Sequence, residues 1–69
     1  MYYAIRNKQT GKFISGTDFR YRPPRQIPVS AYRPPMLFTG HELLAEIEHR
    51  KINLDRYEVV AVEVTEFKE

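Results

Sequence analysis

Phe38-Thr39-Gly40-His41-Glu42-Leu43-Leu44-Ala45-Glu46-Ile47-Glu48-His49-Arg50-Lys51 decides the fold, because this stretch encodes locally both where a helix starts and which face it buries. Thr39 and Glu42 form the S/T-x-x-E capping box, and Phe38 and Leu43 occupy the two staple positions around it. The spacing predicts a helix over 40–51. Leu43, Leu44 and Ile47 make its apolar stripe, and Glu42, Glu46 and His49 point away from it. Glu46 and Arg50 stand four apart in the favourable order, and Arg50 and Lys51 suit the negative end of the helix dipole. Ile52-Asn53-Leu54-Asp55 is the exit, with Asn53 expected in the left-handed region.

An amphipathic helix needs an apolar layer to cover, and the flanking sequence supplies one. Downstream, 57–67 reads as a long strand. Val59-Val60-Ala61-Val62 is apolar on both faces, so this strand is expected to lie between neighbours with the helix across one face. Upstream, residues 1–16 read as a hairpin. Tyr2 to Arg6 is rich in β-formers, Asn7-Lys8-Gln9-Thr10-Gly11 is turn material, Lys12-Phe13-Ile14-Ser15 returns, and Gly16-Thr17-Asp18 ends the second strand. The expected fold class is α+β: a single domain over 1–69 in the order ββ-loop-αβ, with a three-stranded, mainly antiparallel sheet packed by one helix.

Between hairpin and helix, residues 19–35 hold all five prolines together with Tyr21 and Tyr32. Proline fixes φ, removes a donor and drives the preceding residue to extended geometry, so neither helix nor central strand is expected there. Tyr21-Arg22-Pro23-Pro24 recurs as Tyr32-Arg33-Pro34-Pro35, a spacing too short for a repeat architecture.

A chain of 69 residues buries only about 60% of the surface its unfolded form exposes, so its stability is marginal. With no cysteine it has neither a disulfide nor a thiolate metal site. It also lacks a signal-peptide pattern and any apolar run approaching the ~20 residues of a membrane span. The expectation is a complete, soluble, intracellular protein with no membrane association.

The net charge of +2 conceals an asymmetry. Residues 1–40 carry seven basic side chains against Asp18, and residues 41–69 carry four against eight acids. Such a split can build a basic face for an anionic partner, or it can be internal complementarity between the two halves.

Catalytic patterns are missing. His41-Glu42 begins like a zinc-protease helix, but Ala45 stands where the second histidine belongs, and His49 is about two turns from His41. Ser15 and Ser30 lack a nucleophile elbow, and three separated glycines make no phosphate-cradling loop. No catalytic residue, metal site or cofactor is expected.

The strongest binding signal is the interleaving of basic and aromatic residues: Arg20, Tyr21, Arg22, Arg25, Tyr32 and Arg33. Tyrosine and arginine are the residues most enriched in interface hot spots. The same side chains suit single-stranded nucleic acid, with arginines on phosphates and tyrosines stacked on bases. A bland alternative packs the rings beneath the loop and leaves only the charged heads in water. Self-association through a strand edge, 12–15 or 57–67, is a further reading.

The set Tyr3-Ala4-Ile5-Arg6-Asn7-Lys8, Thr10-Gly11-Lys12-Phe13, Ser15-Gly16-Thr17-Asp18-Phe19-Arg20, Arg50-Lys51-Ile52-Asn53-Leu54 and Tyr57-Glu58-Val59-Val60 resembles small proteins of phages and prophages of Gram-positive bacteria. That group carries over no catalytic or binding residues. The resemblance implies a context, the cytoplasm of a bacterial host, and a role: binding a host or phage macromolecule as an inhibitor or adaptor. A protein partner is expected first, and nucleic acid is the alternative.

Overall fold

The computed structural model describes residues 1–62. Five strands and one helix follow in the order β1 (Tyr2–Asn7), β2 (Ile14–Asp18), β3 (Arg25–Pro28), β4 (Phe38–Thr39), α1 (Gly40–His49) and β5 (Tyr57–Val62). A three-stranded antiparallel sheet runs β4-β1-β5, and β2 pairs with β3 in a second, two-stranded sheet. The architecture is mixed α+β in one domain, as the sequence predicts. The order is ββββαβ, not ββ-loop-αβ.

Three elements depart from expectation. The first hairpin does not extend beyond its turn. Asn7 closes that turn by accepting from the Gln9 and Thr10 amides at 2.8 and 3.1 Å on Oδ1, with Gly11 in the left-handed region at φ 74°. One bridge, Arg6 to Phe13, follows before the strands separate. They part because the other end of this β1 edge is taken by β4, which pairs with Tyr2 and Tyr3, while β5 runs along the opposite edge from Tyr2 to Asn7. The flanked strand is therefore β1, with Ala4 and Ile5 both buried, and not β5.

Second, the proline-rich stretch contains β3. Pro23 and Pro24 precede it and Pro28 is its last residue, so no interior position has to donate without an N–H. The sheet accommodates Pro28 with an irregularity between Ile14 and Gly16, where the Ser15 hydroxyl contacts the carbonyls of Ile27 and Pro28 at 3.2 Å each. Gly16, Thr17 and Asp18 belong to β2 rather than ending it.

Third, α1 stops at His49, with Arg50 as its C-cap. The left-handed residue is Lys51 (φ 54°), not Asn53. The end is a Schellman motif: Ile52 N–H donates to Ile47 O at 3.0 Å, Lys51 N–H to Glu48 O at 3.2 Å, and Ile47 packs against the cluster containing Ile52. Asn53 instead accepts the Asp55 amide at 2.9 Å and turns the chain into β5.

The core is Ile5, Ile14, Phe38 and Ile52, with Met36, Leu43, Ile47 and Tyr57 packed around it. Leu43 and Ile47 join as expected, but Leu44 is 76% exposed, and Glu46 is half-buried rather than outward. Residues 63–67 of the expected long strand lie outside the described residues.

Candidate interaction surface

The six residues singled out by sequence fall into two groups. Arg20, Tyr21, Arg22 and Arg25 gather at the tip joining β2 to β3, while Tyr32 and Arg33 sit on a tight turn beyond the other end of β3. About 10 Å of extended strand separates the groups. The tandem Tyr-Arg-Pro-Pro segments thus do not form one patch.

At the tip, Arg20 is committed locally. Its guanidinium holds Asp18 through Nε at 3.0 Å and Nη2 at 2.8 Å, and its amide donates to the same carboxylate at 3.0 Å. These bonds, the side-chain one first, hold the Asp18 carboxyl down at about 2. Arg25 lies over the Tyr21 ring at 4.2 Å. Stacking uses the face of the guanidinium and leaves its N–H edge open to a ligand. Arg22 is exposed, and the Arg22–Pro23 bond is cis.

The second group turns on a reciprocal pair of Ser30–Arg33 backbone hydrogen bonds at 3.1 Å. Tyr32 at its apex is 95% exposed. The packed-loop alternative fails for this ring, and Tyr21 is also 43% exposed. Phe38 is buried in the core and Tyr57 packs against it.

Beside the tip lies a cleft of about 470 Å³, with residues 23–26 on one side and Lys51, Asn53, Arg56 and Tyr57 on the other. Three cations line it, and among the described residues no carboxylate does. Arg25, Lys51 and Arg56 form no ion pair among the described residues. The two sides are joined by a ring of hydrogen bonds. Gln26 Nε2 donates to Arg50 O (2.8 Å), Thr17 Oγ1 pairs with Gln26 Oε1 (2.7 Å), and Arg50 Nη1 donates to Thr17 Oγ1 (3.1 Å). Arg50 is itself anchored on Glu46 at 2.7 Å.

Sequence reasoning identifies Arg25 but misses Lys51, Arg56 and Tyr57. The helix dipole already accounts for Lys51, and Arg56-Tyr57 is a single basic-aromatic step far in sequence from the proline-rich stretch. A weak signal exists: both cations flank the turn-forming Asn53.

His49, a metal-ligand candidate by residue type, is tilted against Phe19, with ring centroids 5.1 Å apart. Among the described residues no helix is long and apolar enough to cross a membrane. No protein-family model, curated protein or solved structure matches the chain.

Proposed function

We propose that this chain is a non-enzymatic accessory protein of the phage type that binds a protein partner stoichiometrically in the cytoplasm of a bacterial host. The supporting observation is the outward presentation of Tyr21, stacked under Arg25, and of Tyr32, 95% exposed on its own turn. The Tyr21 ring, held under Arg25 before binding, loses little entropy on association, and arginine adds charge-assisted hydrogen bonds. Charge complementarity makes the partner surface acidic, since Arg22, Arg25 and Arg33 form no ion pair among the described residues.

The test is capture from a Gram-positive bacterial lysate by tagged protein, with and without nuclease, beside the double variant Arg22→Ala, Arg33→Ala. A protein band that survives nuclease, weakens in the double variant and leaves the thermal midpoint unchanged supports the proposal. Equal loss of stability in the double variant sinks it. Nucleic-acid binding is the second reading, favoured by the cation-lined cleft. It predicts recovery of nucleic acid and a steep fall in affinity with salt.

A further inference from the structure

We propose that the cleft between β3 and the residues following α1 is a phosphate-binding site, with Arg25, Lys51 and Arg56 as its cationic contacts. It is distinct from the Tyr21 and Tyr32 presentations and shares only Arg25 with them.

Three observations converge. First, three cations, Arg25 on β3 with Lys51 and Arg56 in the connection from α1 to β5, border one cavity of about 470 Å³ that no carboxylate of the described residues lines. Like charges brought together repel, so the arrangement is favourable where an anion completes it. Asp18 is the register partner of Arg25, and Arg20 already holds its carboxylate at 2.8 Å. Second, the lining also carries Gln26 and Asn53, whose amides can donate, and the ring of hydrogen bonds from Gln26 through Arg50 and Thr17 keeps β3 against the helix end. The site's cations are thus borne on connected backbone. Third, Lys51 occupies the left-handed position of a Schellman motif, φ 54°, where glycine is ordinarily selected. Helix capping by itself favours glycine there. A lysine at that position adds a cation to the residues lining the cleft, and the neighbouring Arg50 already serves the helix dipole.

The ligand chemistry is a phosphate group, met as a free phosphate or phosphomonoester, or as the backbone of a nucleic acid. Arginine forks suit its oxygens bidentately, and lysine adds a compact charge.

The experiment is an amide NMR titration of the full chain with inorganic phosphate, against sodium chloride at matched ionic strength, and then with a short oligodeoxythymidylate. The expected result is saturable shifts at Arg25, Gln26, Lys51, Asn53 and Arg56 that chloride does not produce. Lys51→Gly should weaken phosphate by about tenfold, the loss of one charge-assisted contact, while the thermal midpoint holds or rises. Arg56→Gln is the second variant, with the same expected weakening. Oligonucleotide that competes with phosphate at these amides identifies the backbone source, and oligonucleotide that does not compete identifies a small phosphorylated ligand. Shifts that are linear, equal in chloride or located elsewhere overturn the proposal, as does Lys51→Gly binding phosphate like the parent. Neither variant should alter capture of a protein partner by Tyr21 and Tyr32, so failure of this site and failure of the accessory-protein reading are separable.

Discussion

Asp18 and Leu44 carry opposite lessons about single residues. Asp18 is the sole acid of the first 40 residues and is spent on a local clip, which ties Arg20 to the hairpin tip through one carboxylate. Because its folded pKa, about 2, lies below the ordinary 3.8, the clip contributes stability that is complete above that ordinary value. It is lost as pH falls through about 2. Carbon-13 NMR of the Asp18 carboxyl should titrate near 2, and a midpoint near 4 would show that Arg20 does not hold it. Glu42 shifts the same way, because it accepts first from the Thr39 backbone N–H and then from the Thr39 hydroxyl, both at 3.0 Å. Leu44 fits the apolar stripe by spacing, yet it is 76% exposed while Leu43 and Ile47 take the places against the core. Leu44→Gln should therefore change stability by less than about 0.5 kcal/mol in chemical denaturation. Ile5→Ala, at a position with no exposed surface, should cost about 2–5 kcal/mol. A larger loss for Leu44→Gln would mean that Leu44 makes apolar contacts that its exposure does not show.

Among elements, α1 is legible because capping and staple chemistry is local, so Thr39, Glu42 and Leu43 announce it whatever the rest of the chain does. β3 is not. Ile27 is driven extended by Pro28, but extended backbone becomes strand only when a partner offers its edge, and here that partner is β2, whose Gly16 faces Ile27 across an eleven-residue separation that sequence pattern does not mark. The first hairpin fails for the reciprocal reason, since its turn is correct while β4 and β5 compete for β1. Holding β3 to the helix is the work of Gln26, whose amide accepts from Thr17 and donates to the Arg50 carbonyl. Replacing Gln26 by Leu leaves that half-buried carbonyl without its side-chain donor, at a cost of about 1–3 kcal/mol. For a domain of this size the thermal midpoint should fall by at least ~4 °C per kcal/mol. Hydrogen exchange should quicken in β3 ahead of β1. Uniform acceleration across both sheets would assign Gln26 to global stability instead of to this junction.

For the whole molecule, the charge split has two readings, and pairing within the described residues favours one of them. Arg6–Glu58 at 2.9 Å joins the basic first half to the acidic second, whereas Arg20–Asp18 and Arg50–Glu46 each stay within a half. That leaves Lys8, Lys12, Arg22, Arg25, Arg33, Lys51 and Arg56 without an ion pair among the described residues. Lys8 and Lys12 border smaller clefts that also meet Tyr57, so much of this charge surrounds one ring. The asymmetry is visible in sequence, but its location is not, because Lys51 and Arg56 belong to the acidic half and only the fold carries them to Arg25. A surface of mutually repelling cations responds to screening in the opposite sense to a network of ion pairs. Raising salt from 0.01 M to 0.15 M shortens the Debye length from about 30 Å to about 8 Å and weakens that repulsion. The thermal midpoint should therefore rise over this range in sodium chloride, and Arg56→Gln should flatten the rise because one repelling charge has gone. A midpoint that falls with salt would instead mean that attraction between the halves outweighs repulsion among the cations, and would leave no unbalanced basic face for an anionic partner.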